Sequence, residues 1–77
     1  MTKAESLKQL QSVINIGPVA AKSLYSMGVR TPEQLKRANP EHLYEKLKRR
    51  NGGKLDRCVL YQFRGAINGR PWPECKD

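Results

Sequence analysis

SVINIGPVAAKSL, residues 12–24, sets a Gly-Pro step between a short apolar run and a pair of alanines. Pro18 suits the first turn of a helix, where its missing N–H costs nothing, so a helix starts there and a turn precedes it. Ile14, Asn15, Ile16 and Gly17 suffice for a compact hairpin back to an earlier helix, with Ile16 pointing into the core. Ala20 and Ala21 are small enough to let the new helix pack close against its predecessor. Gly17 lets a ligand approach the backbone, and the amides of residues 17–20 open the helix unpaired. Such amides form an anion site, so the hairpin reads as a phosphate clamp, with Val19 and Ala20 in it and Lys22 one turn in as side-chain partner.

Working outward, the periodicity is helical throughout, and no stretch alternates apolar and polar residues over the length of a strand. The first helix, about residues 4–13, carries Leu7, Leu10 and Val13 or Ile14 on one face. The second, about 18–27, turns Ala20, Ala21, Leu24 and Tyr25 or Met27 inward and closes at Gly28. Thr31, Pro32 and Gln34 start a third with a capping-box pattern. Asn39 and Pro40 start a fourth, about 40–50, which buries Leu43, Tyr44 and Leu47. Asn51, Gly52 and Gly53 break the chain before a fifth, about 54–68. Its four-residue row of Leu55, Val59, Phe63 and Ile67, with Leu60 and Ala66 alongside, is the most apolar stripe and the expected centre of the core. Cys58 lies on or beside it as a small buried hydrophobe. Gly69 ends this helix, and Pro71 and Pro73 hold Trp72 in an extended tail that covers helix ends or offers a stacking surface. The expectation is one all-α domain over residues 1–77, built of five short helices.

Of the 77 residues 38% are hydrophobic and 29% charged, with no run near the eighteen or so a membrane span needs and no signal pattern after Met1. A soluble, cytoplasmic protein follows as the expectation. Fifteen Lys and Arg against seven Asp and Glu leave a net charge of +8, which favours a polyanionic partner. Six of the fifteen crowd into residues 46–57: Lys46, Lys48, Arg49, Arg50, Lys54 and Arg57. Such a run is either a solvated helix end complementing the dipole or a set of phosphate contacts, and both readings stand. Cys58 and Cys75 read as reduced thiols in a chain of this kind. They stand apart from any His, Asp or Glu at metal-ligand spacing, so no cofactor is expected. His42 falls in the first turn of the fourth helix, where an exposed or capping role outweighs acid–base work. Asp56 falls in the first turn of the fifth, where an acid suits the dipole.

INIGPVAAKSLYSMGVRTPEQL, residues 14–35, resembles a helix-hairpin-helix motif with its usual continuation. GVRTPEQLKRANPEHLYEKL and, more particularly, DRCVLYQFRGAI at residues 56–67 resemble the pathogenicity-locus family of small bacterial proteins. INIGPVAAKSLYSMGVRT and the closing GAINGRPW are similar to the C-terminal domain of TfoX-type competence regulators. The resemblance implies a helix-hairpin-helix or SAM-like bundle that binds DNA, and neither family implies an enzymatic activity. Enzymes built on this motif pair it with a catalytic carboxylate or lysine in a larger pocket for a flipped base, for which this chain is too small. Asn15 stands where the motif carries the first of two glycines. Asparagine tolerates the left-handed backbone there, and its side chain is in reach of the hairpin's own amides, where it would compete with a phosphate. Duplex DNA is usually gripped by two such motifs, and RRNGGKL at residues 49–55 lacks the spacing of a second.

The functional expectation is therefore a non-enzymatic module that contacts the DNA backbone without sequence preference. Asn15, Gly17, Pro18, Val19, Ala20 and Lys22 form the hairpin site, with Lys48, Arg49, Arg50 and Lys54 as neighbouring charge. Single-motif binding is weak, which implies a protein partner or a homo-oligomer, with no small-molecule substrate and no membrane. The rival expectation is a SAM-like protein-interaction module, in a competence or DNA-repair-related context, presenting Tyr25, Tyr44, Trp72 or the basic helix end to an acidic partner.

Overall fold

Most of the helices carry their own start signals, and the computed structural model, which describes residues 2–75, places them where those signals fall. In α1 (Lys3–Gln11), Thr2 Oγ1 accepts the Glu5 N–H at 3.2 Å while the Glu5 carboxylate accepts the Thr2 N–H. Each thus satisfies a donor that the first turn would otherwise leave open. α2 (Pro18–Ser26) opens on Pro18 behind Gly17. α3 (Pro32–Arg37) is capped by Thr31, which accepts from the Gln34 N–H. The Gln34 side chain takes the Arg30 N–H at 2.7 Å, so the reciprocal half of this cap lands one residue early. Asn39 caps α4 (Pro40–Arg50) on two amides, those of Glu41 and His42. Asp56 caps α5 (Arg57–Asn68) through the Cys58 N–H at 2.9 Å. A 3₁₀ turn, Trp72–Cys75, completes the described chain.

These elements form an all-α bundle of two layers. α2 lies on α1, and α5 is the hub against which α3, α4 and the 3₁₀ turn pack. Between the layers Leu10, Ala21, Leu24, Leu35 and Phe63 are wholly buried, joined by Ile16, Leu43, Tyr44, Leu60 and Ala66. Ser6, also buried, gives α1 the small side chain that close packing on α2 requires. Among the described residues no helix is long and apolar enough to cross a membrane.

α2 does not pack closely along α4 or α5; polar ties join it to them at its two ends. Before its start, Asn15 Nδ2 donates to the carbonyls of Arg70 at 2.8 Å and Gln62 at 3.4 Å, and Asn15 Oδ1 accepts the Trp72 N–H at 3.2 Å. At its far end, the Arg50 guanidinium donates to Ser26 Oγ at 2.8 Å and to the Ser26 carbonyl at 3.3 Å. The first tie needs Gly65, because a Cβ there would run into the Arg70 carbonyl and Asn15 Nδ2. Gly69, in the left-handed conformation, turns the chain so that the Arg70 N–H reaches the Gly65 carbonyl at 2.9 Å.

Four details differ from the sequence expectation. α5 starts at Arg57, not near 54, because the carbonyls that would open it are already used. Asn51 Nδ2 donates to the Lys54 carbonyl and the Tyr44 hydroxyl to that of Leu55, so Asp56 is the cap and not a first-turn residue. α1 stops at Gln11, where the Ser12 hydroxyl turns back onto the Gln9 carbonyl at 2.6 Å. The tail is not extended but coiled into the 3₁₀ turn, with Trp72 half-buried against α5. Within α5 the buried line is Leu60, Phe63 and Ala66; Leu55, Val59 and Ile67 of the expected stripe are only half-buried.

Asn15→Gly keeps the backbone conformation and removes the side-chain bonds, and should cost about 2 kcal/mol in urea unfolding. Asn15→Ala, which also strains the left-handed turn, should cost about 1 kcal/mol more. Gly65→Ala should cost about 3 kcal/mol, since it breaks the same bonds and overfills the crossing.

Candidate nucleic-acid interface

The hairpin is six residues of irregular chain, 12–17. Val13 and Ile16 close it through the Ile16 N–H to the Val13 carbonyl at 3.2 Å, and Ile16 is 5% exposed, an anchor in the core as expected. Asn15 has φ 71°, the one positive φ outside glycine among the described residues, as a turn of this tightness requires. Gly17 is extended, at φ −92° and ψ −173°, and a Cβ built on it would meet open space. Its conformation therefore does not demand glycine.

What sets α2 apart is its open N-terminus. The other four helices each receive a side-chain cap, whereas none caps α2, and no acid lies in its first turn. The Ala21 N–H bonds the Gly17 carbonyl at 2.9 Å as the first rung of the helix. The amides of Val19 and Ala20 precede that rung at the mouth of the hairpin. Val19 is 80% exposed and Lys22 is exposed, so this end of α2 faces outward. Asn15 belongs to the turn but not to the mouth: its carboxamide is committed to α5 and the tail and does not compete for the α2 amides.

The basic residues are dispersed around the hairpin. Arg50 binds Ser26 at the opposite end of α2, about 12 Å along the helix from Pro18. Lys48 lies over the Tyr44 ring, 5.9 Å from its centroid, while Arg49 and Lys54 are exposed around the turn after α4. The structure thus brings Gly17, Pro18, Val19, Ala20 and Lys22 together, with Arg50 a separate positive charge farther along the same helix. Sequence reasoning had no sign that Ser26 would receive Arg50. It also passed over Gly65, although a lone glycine within an apolar helical pattern marks a close approach.

The remaining chemistry-bearing residues have structural settings. His42 is exposed and its backbone N–H belongs to the Asn39 cap. Cys58 and Cys75 are half-buried and not joined in a disulfide. Tyr44 is buried with its hydroxyl on the Leu55 carbonyl at 2.7 Å, and Tyr25 sits between Lys3 and Arg30, whose cations are 5.6 and 4.6 Å from its ring centre. The bond from the Cys58 N–H holds the Asp56 carboxyl below the usual aspartate pKa. A depressed folded-state pKa stabilises the fold above the unfolded value and stops doing so as pH falls through the folded one. Asp56→Ala should lower Tm at pH 7, whereas Asp56→Asn should keep most of the cap and flatten the acid limb of Tm against pH, read by circular dichroism from pH 7 to 2.

A model of the family described as pathogenicity locus (Cdd1) matches residues 3–72. Among curated proteins, the mitomycin resistance protein McrB of Streptomyces lavendulae is 28% identical over 78 aligned positions, which take in 94% of this chain and 73% of that protein. No solved structure matches the chain.

Proposed function

The chain belongs to the pathogenicity-locus family, and from that premise we propose that it is a small, non-enzymatic, cytoplasmic DNA-binding module of helix-hairpin-helix, SAM-like type. The observation that carries this reading is the uncapped start of α2 behind an αL turn and Gly17, where the other four described α-helices are each capped by a side chain. In this reading the Val19 and Ala20 amides hold one backbone phosphate at the positive end of the helix dipole, and Lys22 neutralises it from one turn in. Arg50, farther along α2, meets a second phosphate, and the net charge of +8 draws the duplex in. These contacts go to the backbone alone, so binding is independent of sequence and weak at physiological salt, and a partner or a second copy strengthens it.

Gly17 provides the test, because the space beside it is open and a side chain there leaves the fold intact. Aspartate at that position caps α2 with its own carboxylate and occupies the phosphate position. Gly17→Asp should raise Tm slightly and weaken binding to a short random-sequence duplex by about tenfold or more, measured by fluorescence anisotropy. For the unaltered protein, log K against log salt should have a slope of about −2 to −3, from two or three neutralised phosphates. In ¹⁵N-labelled protein the amides of Gly17, Val19, Ala20 and Lys22 should move most. Full binding by a folded Gly17→Asp protein rejects the clamp.

A further inference from the structure

We infer that the slot between α2 and α5 is a docking site for an acidic amphipathic helix of a partner protein. The slot has a volume of about 490 Å³. It exists because α2 is tied to the rest of the bundle at its ends, by Asn15 and Arg50, and stands off from α5 between them. Its walls are two helical ridges: Val19, Ala20 and Ser23 on α2, and Val59, Gln62 and Phe63 on α5, each set at three- and four-residue spacing. Leu47 and Leu55 line it as well. Two ridges with an unfilled groove between them are the complement of a third helix's ridge, and this slot is about one and a half turns long.

The same slot explains why the apolar stripe of α5 is incompletely buried. Val59 and Leu55 line the slot and are half-buried because the groove between them and α2 is unfilled, and Val19 is 80% exposed. The tyrosines are internally engaged, Tyr44 through its hydroxyl and Tyr25 and Tyr61 under arginine cations.

The charge around the slot selects the occupant. Arg50 is the one charged residue that lines it, and no acid does. Two of its five guanidinium donors are spent on Ser26, so it retains its charge and further donors for a carboxylate. Lys22 and Lys54, both exposed, adjoin the lining residues Ser23 and Leu55, while the neighbouring Asp56 carboxylate is turned onto the Cys58 N–H. An apolar floor with Arg50 at its edge fits leucine-like side chains at i, i+3 and i+4 flanked by glutamates or aspartates. A duplex presents its phosphates and keeps its bases stacked inside, and so leaves that floor unfilled. Arg50 and Lys22 serve both readings, but the α5 wall of the slot is made of side chains that the proposed phosphate contacts do not use, so substitutions there test the two apart.

The probe is a synthetic helical peptide with leucines at i, i+3 and i+4 among glutamates, its lysine-for-glutamate twin, and an isomer with the leucines dispersed. Titrated into the ¹⁵N-labelled chain, the acidic peptide should shift the amides of Val19, Ser23, Asn51, Val59 and Gln62, and the other two should bind about tenfold more weakly or less. Val59→Ser removes apolar surface from the α5 wall, which the proposed phosphate contacts do not use, and should weaken the acidic peptide about fivefold to tenfold with duplex binding unchanged. Gln62→Glu should weaken the acidic peptide and strengthen its lysine twin. Equal binding by the two twins, shifts outside the slot, no shift at millimolar peptide, or indifference to both substitutions would overturn the inference. So would self-association of the chain through these residues, or a duplex that shifts the methyl groups of Val19, Leu47 and Val59.

Discussion

The carboxamide of Asn15 ties together parts of the chain that nothing local would unite. Its two ends bond the carbonyls of Gln62 and Arg70 and the amide of Trp72, 47 to 57 residues away in sequence. Together these bonds contribute about 2 kcal/mol, including the cost of the backbone groups that their loss would strand in a partly buried crossing. The geometry is demanding on both sides. Asn15 has to take a left-handed backbone, and Gly65 has to lack a side chain, for the tail to pass over α5 close enough to be held. The position of the hairpin, of the tail and of α2 relative to α5 all depend on this crossing.

Elsewhere the structure is tied locally. Four helices begin at a side chain within three residues of the amide it accepts, and such caps contribute comparable amounts wherever the helix lies. Tertiary polar ties between described residues include Arg50 to Ser26, Tyr44 to Leu55, and Arg64, which pairs with Glu41 at 3.1 Å and donates to the Cys75 carbonyl at 3.2 Å. Arg64 thereby joins the start of α4, the middle of α5 and the 3₁₀ turn. With a core of about a dozen apolar residues, such ties orient elements that hydrophobic burial alone would leave free to slide.

This division between local and long-range determinants also separates what could be read in the sequence from what could not. Thr31, Asn39, Pro18, Pro32 and Pro40 announce their helices because capping chemistry is short-ranged, and α3 and α4 begin at those signals. The start of α5 was misplaced because Asn51 and Tyr44 claim the carbonyls of Lys54 and Leu55, and no periodicity records a hydroxyl arriving from another helix. Asn15 was legible as a left-handed turn residue, but not as a clasp, since its partners lie at the other end of the chain. The hairpin residues of the candidate site are contiguous, so the sequence exposed them together. Arg50 was read as part of a local cluster, when its position is set by Ser26.

The clasp also places a constraint on the order in which the molecule can be completed during synthesis. The turn at residues 13–17 contains every residue of its motif as soon as α1 and α2 have been made, and both helices can form by local chemistry. Their turn nevertheless lacks its partners until residues 62, 70 and 72 have emerged. A nascent chain therefore carries the hairpin first and locks it last, so the end of α2 that faces outward acquires its fixed setting only when nearly the whole domain has been made.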